Sequence, residues 1–277
     1  MARPLEPAPF TLADEPALAG EEVGEGPPVV LLHGLTATRR YVVHGSVALA
    51  RSGRRLILYD ARGHGKSDPA PAGEGYGYDS LVSDLRQVID QRCPGERPVL
   101  AGHSMGAHTA AALALARGVD LAGLVLVCPA SLGESPSEEQ AAEWDRLADG
   151  MERDGVEGFL AAYDDGLDPA WRETLVRIAR ERLGRHRHPG AVAAALREVP
   201  QSLPFEGLAE LEFLDLPTLV VASRDEADPG HPYAIAEAWS ERIPGAELIS
   251  EEPGQSPLAW QGGRLSRAIA DFLDRAG

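Results

Sequence analysis

The residues of this chain best suited to chemistry lie in the segment Gly102-His103-Ser104-Met105-Gly106. The segment follows an apolar run typical of a buried strand and precedes an alanine-rich run typical of a helix. A sharp strand-to-helix turn forces backbone conformations that side chains crowd, so a glycine two residues either side of the serine has a steric reason. Such a turn presents Ser104 as a nucleophile at a helix N-terminus, which is chemistry suited to acyl transfer.

A second motif supplies hydrogen-bond donors for that chemistry. His33 and Gly34 end an earlier apolar run, and a glycine there lets the chain turn so that the Leu35 N–H faces the cleft. Together with the Met105 N–H, it would stabilise the oxyanion of an acyl-transfer intermediate. For His33 we favour a structural interpretation, in which the imidazole bonds to nearby loop backbone rather than acting as a base. The segment "YDARGHGKSD" from Tyr59 is interpreted mainly as loop architecture.

Apolar runs that alternate with helical patterns must position these motifs. Each run is continuously apolar, as a strand buried on both faces requires. These runs begin at Pro27, Arg54, Arg97, Leu121 and Leu216, and a last strand is predicted from Ala246. Strands separated by helices predict an α/β protein with a mostly parallel, doubly wound sheet.

Between residues 131 and about 205 the alternation stops and only helical patterns appear. Ser137 followed by Gln140 resembles a capping box at the start of the first of them. The sequence therefore predicts a helical cap over residues 131–205, inserted after one strand of a core formed by residues 1–130 and 206–277. Ordinary packing helices are the alternative, which the pattern leaves open.

The amino-acid composition limits the kinds of partner that the chain is expected to bind. The chain has 277 residues and a formal net charge of −17, which opposes binding to nucleic acids. No apolar run approaches the roughly 20 residues needed to span a bilayer. The N-terminal segment lacks the apolar region of a secretory signal, so we expect a cytoplasmic protein with no membrane partner. Cys93 and Cys128 stand in unlike contexts and are expected to be reduced thiols.

These motifs, in this order, resemble the α/β-hydrolase fold family, specifically its cap-bearing members related to esterases, proline iminopeptidases and C–C bond hydrolases. The resemblance rests on "LLHG", "YDARGHGKSD", "GHSMGA" and "SRDEADP" and covers nearly the whole chain from about Ala17. It implies a triad in the order serine, acid, histidine. Asp225 matches the family's acid position and Asp228 is the second candidate; either could instead be a solvated loop carboxylate or a helix cap.

The sequence departs from the family's pattern at the base. After the final apolar run, the chain reads "PGQSP", so Gln255 stands where the resemblance implies a histidine. A carboxamide cannot accept the proton of Ser104 near neutral pH and hand it back, as an imidazole can.

Three explanations of Gln255 remain open. Another histidine can serve as base: His231 is the first candidate because it follows the acid's own loop, His44 is the second, and His108 is expected to be packed. Alternatively, the protein is a slow or non-hydrolytic member that uses Ser104 and the oxyanion hole without a true base. The third explanation is a laboratory substitution at Gln255 that traps a ligand.

The leading hypothesis is a serine-hydrolase-type enzyme that acts on a small ester or a related acyl bond of a small-molecule substrate. The cap's apolar side chains are either substrate contacts or the cap's own core: Trp144, Phe159, Leu160 and Tyr163. No cofactor or metal is expected, because the sequence has no metal-ligand spacing, phosphate loop or dinucleotide fingerprint. The alternative is a catalytically silent scaffold that binds a small ligand or a partner. The sequence does not determine the oligomeric state.

Overall fold

The computed structural model describes residues 5–164, 167–225, 228–252, 260 and 263–276. One sheet is built from the strands β1 (Ala8–Leu12), β2 (Leu18–Val23), β3 (Pro28–Leu32), β4 (Arg55–Tyr59), β5 (Val99–His103), β6 (Gly123–Val127), β7 (Thr218–Val221) and β8 (Glu247–Ile249). Their order across the sheet is β1-β2-β4-β3-β5-β6-β7-β8. β2 pairs antiparallel with both β1 and β4. Every neighbouring pair from β4 to β8 in this order is parallel.

Helices cover both faces of this sheet. They are α1 (Ala48–Arg51), α2 (Tyr78–Arg92), α3 (Met105–Ala116), α4 (Glu138–Tyr163), α5 (Arg172–Leu183), α6 (Pro189–Glu198), α7 (Tyr233–Arg242) and α8 (Gly263–Ala276), with a 3₁₀ helix at Leu208–Phe213. Alternate strand residues enter opposite cores: Leu124 and Leu126 pack on the side of α2, α3 and α7, whereas Val125 and Val127 pack on the side of α1 and α8. The mostly parallel, doubly wound sheet is confirmed.

The strands β1 and β2 were not predicted from the sequence. Their residues, "APFTL" and "LAGEEV", include proline, glycine and glutamate, which are depleted in strands. Pairing decides their structure: Leu12 lies opposite Leu18, and Val23 lies opposite Leu56 of β4. They extend the sheet at its antiparallel edge, away from the motifs that could do chemistry.

Among the described residues between β6 and β7, three α-helices, α4 to α6, precede the 3₁₀ helix. The predicted capping box is present at the start of α4, where Ser137 Oγ accepts from Gln140 N at 3.2 Å and Gln140 Oε1 accepts from Ser137 N at 2.9 Å. These helices share an apolar core that includes Leu147, Met151 and Leu196. The division of the chain at residues 131 and 205 stays a prediction.

This helical layer reaches the loop after β3. Leu35 packs against the apolar core of α4 to α6 and also against the cluster that contains Met105. The layer therefore covers the region where the first two motifs meet. Cys93 and Cys128 are buried free thiols. Within the described part of the chain, no helix is both long and apolar enough to cross a membrane.

Candidate active site

Ser104 occupies a strained turn between β5 and α3. Its backbone has φ 52° and ψ −116°, a conformation that residues other than glycine rarely adopt. The flanking glycines allow this turn, because a Cβ at Gly102 would lie 2.1 Å from Gly106 O and a Cβ at Gly106 would lie 2.2 Å from Leu32 O. Both distances are far shorter than van der Waals contact. The steric reason inferred for the glycines is therefore confirmed.

The loop after β3 contacts this turn directly. A Cβ at Gly34 would lie 2.9 Å from His103 Nδ1 and 3.2 Å from Ser104 Cβ, so only glycine allows the approach. Within the described ranges, neither Leu35 N–H nor Met105 N–H donates a hydrogen bond to another residue. Met105 is the first residue of α3, whose N-terminal amide groups carry partial positive charge. The arrangement leaves donors beside Ser104 that could stabilise an oxyanion.

His33 supports the loop rather than facing the nucleophile. Its Nδ1 donates to Gly34 O at 2.8 Å, and its Nε2 accepts from Ala61 N at 2.9 Å. Burial lowers the pKa of His33 to about 4, against the opposite effect of the bond to Gly34. The ring is therefore neutral near pH 7, and the structural interpretation of His33 holds.

The polar residues after β4 form loop architecture, as predicted. Asp60 is 1 % exposed, accepts from Arg39 N and Lys66 N at 2.9 Å each, and pairs with the Arg39 guanidinium. Arg62 makes two hydrogen bonds to Asp84, at 2.8 Å and 2.7 Å. These buried pairs join the loop after β4 to the loop after β3 and to α2.

A carboxylate–imidazole pair lies next to the serine turn. His231 Nδ1 donates to Asp228 Oδ2 at 2.8 Å, and the His231 ring centroid is 5.1 Å from that of His103, the residue before Ser104. A proton on Nδ1 leaves Nε2 with a free lone pair. The structure thus brings the first candidate for a substitute base to the nucleophile's side.

Asp228 stays ionised in this pair. Burial acts to raise its pKa, but the hydrogen bond from His231 and neighbouring cationic groups hold the pKa of Asp228 below its ordinary value. The family's usual acid position, Asp225, is three residues earlier in the same loop, and its N–H donates to Ser223 Oγ at 3.1 Å. The carboxylate that contacts His231 is therefore the second acid candidate of the sequence.

The other two histidines considered as bases make different contacts. His108 is 2 % exposed: its Nδ1 donates to Ser104 O at 3.0 Å, and its Nε2 accepts from Ser131 Oγ at 3.1 Å. It is packed, as expected, with its ring edge-on to Trp239. His44 lies in an exposed turn with φ 48°, and its ring centroid is 6.3 Å from that of Tyr41.

Gln255 lies outside the described residues, but the residues on either side of its segment are fixed. Glu251, which is 5 % exposed, accepts from Ser223 Oγ at 2.7 Å and from Arg224 N at 2.6 Å. Its other oxygen accepts from Trp260 Nε1 at 3.0 Å. Glu251 thus ties the loop after β8 to the loop after β7. Sequence reasoning missed it, because a glutamate in "SEEP" has no local signal of burial.

The cap's apolar candidates divide into two groups. Phe159 and Leu160 are 3 % and 4 % exposed and belong to the cap's own core, which favours the structural alternative for both. Trp144 and Tyr163 are partly buried at the edge of that core. Contact of Trp144, Phe159 or Tyr163 with substrate stays a prediction. Among the described residues, no cluster of histidine, cysteine and acidic side chains could hold a metal ion.

Comparison with known proteins agrees with this fold. A family model described as alpha/beta hydrolase fold matches residues 27–156. The chain is 27% identical over 254 residues to a Variovorax paradoxus protein assigned as the carbamate hydrolase RutD, covering 91% of this chain and 93% of that protein. It is 29% identical over 255 residues to a 2-hydroxy-6-oxononadienedioate/2-hydroxy-6-oxononatrienedioate hydrolase of Burkholderia vietnamiensis, covering 89% and 87% of the two chains.

Solved structures show the same fold. A thermophilic esterase from Thermogutta terrifontis superimposes with a TM-score of 0.76 at 24% identity, covering 98% of this chain and 99% of that one. The sequence relatives described above are hydrolases, and they match this chain over nearly its full length. The protein therefore has the α/β-hydrolase fold.

Proposed function

We propose that the protein is a serine hydrolase that cleaves a small ester or a related acyl bond. The observation that carries this proposal is the strained turn at Ser104, with φ 52°, beside the unbonded N–H groups of Leu35 and Met105 in the described structure. Backbone strain persists only where the surrounding structure enforces it, and it concentrates at functional sites. A purely structural turn does not need a serine at its apex.

The chemistry proceeds in two half-reactions. Ser104 Oγ attacks the substrate carbonyl carbon while His231 Nε2 takes the hydroxyl proton, and the N–H groups of Leu35 and Met105 bind the resulting oxyanion. Collapse of the intermediate breaks the bond to the leaving group, which receives the proton from His231. Water then attacks the acyl-enzyme with the same base, which releases the carboxylic acid and restores Ser104.

Asp228 is the acid of this proposed triad. Its hydrogen bond of 2.8 Å to His231 Nδ1 holds the imidazole in the tautomer whose Nε2 accepts a proton. The carboxylate also stabilises the imidazolium that forms during attack. With His231 as base, no proton transfer is required of Gln255.

Gln255 favours a second candidate function. If no imidazole reaches Ser104, the cleft is that of a silent scaffold, and it binds a small ligand or a partner without turnover. Removal of the base from a serine triad costs up to about a million-fold in turnover. The two candidates therefore differ by a very large factor in rate.

Short-chain p-nitrophenyl esters test the proposal in steady-state and stopped-flow assays. We expect turnover by the protein as it is, loss of about 10⁴-fold or more in Ser104→Ala and in His231→Gln, and little change in Gln255→His. Matched controls are Ser83→Ala, which alters an exposed serine of α2, and His44→Gln, which alters the other candidate histidine. Both controls should keep the original rate.

The opposite pattern of rates would identify the protein as a silent scaffold. An inactive protein in which Gln255→His creates turnover would place the base position at residue 255 and overturn the assignment of His231. Equal rates in Ser104→Ala and the unmodified protein would overturn the assignment of the nucleophile.

A further inference from the structure

The turn that carries Leu35 contains a strained residue. A hydrogen bond of 3.0 Å from Ala37 N to Gly34 O closes this turn, residues 34–37, which we call the oxyanion turn. Its third residue, Thr36, has φ 68° and is 5 % exposed. Glycine or asparagine usually occupies such a position, and a β-branched side chain is rare there. Contacts from outside the turn must therefore hold Thr36 in this conformation.

One such contact comes from the helical layer. His186 lies in the connection between α5 and α6, residues 184–188, and is 9 % exposed. Its Nδ1 accepts from Gly65 N at 2.9 Å, so the ring proton is on Nε2, and Nε2 donates to Thr36 O at 2.9 Å. Burial is the main cause that lowers the pKa of His186 below its ordinary value, so the ring is neutral near pH 7. One imidazole thus bonds to the loop after β3 and to the loop after β4.

The bond to Thr36 O continues through the backbone to Leu35. A trans peptide group is planar, and its C=O and N–H lie on opposite sides. One such group contains Thr36 O and Ala37 N–H, and another contains Gly34 O and Leu35 N–H. The series of donors and acceptors is therefore His186 Nε2–H to Thr36 O, Ala37 N–H to Gly34 O, and finally Leu35 N–H. Hydrogen bonds in series polarise one another, so the bond from the imidazole strengthens the next one.

Further contacts fix both ends of this series. His33 Nδ1 donates to Gly34 O at 2.8 Å, which orients the peptide group of Leu35 from the side of the sheet. Arg187 N donates to Gly65 O at 2.9 Å, so the backbone next to His186 binds the same loop as its ring. The direction of Leu35 N–H therefore depends on the helical layer as well as on the sheet.

The ring of His186 has little freedom to rotate. The centroid of the His64 ring is 5.4 Å from that of His186, at an angle of 77° between the two planes. His64 is itself 1 % exposed, and its Nδ1 donates to Arg62 O at 2.9 Å. A different rotamer of His186 would break both of its hydrogen bonds and displace this packed ring. The donor to Thr36 O is thus held in one orientation.

We propose that His186 is a positioning residue of the oxyanion hole, because its Nε2–H holds Thr36 O and, through the oxyanion turn, the direction of Leu35 N–H. This inference deepens the hydrolase function proposed above and rests on it. His186 acts through the backbone and does not touch the substrate. A donor that is already oriented stabilises the oxyanion without reorganising when charge develops. Loss of the orientation should therefore lower kcat and change KM little.

Two amide variants of His186 test the proposal, with p-nitrophenyl butyrate as substrate. In His186→Asn the shorter side chain can accept from Gly65 N but does not extend to Thr36 O, whereas in His186→Gln the amide extends far enough to donate to Thr36 O. We expect kcat to fall about 10- to 100-fold in His186→Asn, with KM within about threefold, and to stay within about fivefold in His186→Gln. His188→Asn, in the same connection, is the matched control and should keep the original kcat.

A measurement without substrate separates this inference from the proposed function. Hydrogen exchange of the Ala37 amide, followed by nuclear magnetic resonance, reports whether the oxyanion turn stays closed. We expect exchange to be about tenfold faster or more in His186→Asn and close to the original rate in His186→Gln. The amides of α2 are the internal control, since their exchange rates should be equal in all variants if the fold as a whole is intact.

The outcomes are distinct. Faster Ala37 exchange in His186→Asn, restored in His186→Gln, in a protein that turns over no ester supports the positioning role and overturns the hydrolase function. An active protein in which His186→Asn and His186→Gln have equal kcat, or in which only KM changes, overturns the positioning role. Unchanged Ala37 exchange in His186→Asn overturns it as well.

Discussion

Two halves of the candidate site are held in different ways. The nucleophile half, formed by Leu35, Ser104 and Met105, is fixed by contacts between backbone atoms, and the flanking glycines admit no side chain there. The acid–base half, formed by Asp228 and His231, depends on a side-chain hydrogen bond within the loop after β7. A group that is held by backbone contacts can act from only one position in the chain. An acid or a base is a side chain, and several positions in the chain can place it at the same site.

Under the function proposed above, this difference explains how the base can come from a different loop than in the family's pattern. The carboxyl ends of parallel strands meet at one edge of the sheet, so the chain leaves β7 and β8 at the same edge where β5 leads into Ser104. The proposed nucleophile has no such freedom, because in the described part of the chain only the turn between β5 and α3 combines a strained apex with the free amides of a helix N-terminus.

The largest expected effect comes from breaking the acid–base half. Asp228→Asn keeps the size of the side chain but removes the charge that stabilises the imidazolium of His231, and we expect kcat to fall about 10³- to 10⁴-fold. Asp225→Asn, in the same loop, should cost far less. Steady-state kinetics on a p-nitrophenyl ester measure both. A larger loss in Asp225→Asn would assign the acid to the family's usual position instead.

Breaking the backbone contacts of the nucleophile half should lower the stability of the folded protein. In Gly106→Ala the new Cβ would lie 2.2 Å from Leu32 O, so the turn and β3 must separate. We expect the free energy of unfolding to fall by about 3 kcal/mol, measured by urea denaturation. Gly190→Ala in α6 is the matched control, because its Cβ meets no atom within 4 Å. An unchanged midpoint in Gly106→Ala would contradict the steric argument.

A smaller effect is expected in how the stability of the fold depends on pH. Burial lowers the pKa of His108 from its ordinary 6.5 to about 4, so at intermediate pH the unfolded chain binds a proton that the folded protein excludes. The stability that His108 contributes is full above the unfolded pKa and falls as pH drops toward the folded one. Between about pH 7 and about pH 5 the loss should be about 2 kcal/mol for this group.

Chemical denaturation at both pH values measures the loss, and His108→Gln should reduce it by about that amount. Nuclear magnetic resonance of the His108 ring supplies an independent check, since the imidazole should stay neutral until well below its ordinary pKa. Titration of His108 near pH 6.5 in the folded protein would contradict this account.

The sequence predicted the fold where local pattern and tertiary environment agree. The strands β3 to β7 are short apolar runs, and burial on both faces is sufficient reason for that composition. β1 and β2 were missed because their pairing at the sheet edge, rather than their residues, makes them strands. Glu251 was missed for a similar reason: its three hydrogen-bond donors come from residues that approach it only in the folded chain.

By itself the sequence determined the doubly wound sheet and the glycine-bounded turn at Ser104, because strand burial and backbone sterics act over a few adjacent residues. Only the tertiary structure decided that Asp228 contacts His231 and that His231 stands beside His103. Such contacts join side chains from separate elements. Their geometry follows from the packing of the cap and of the strand ends, which no local pattern encodes.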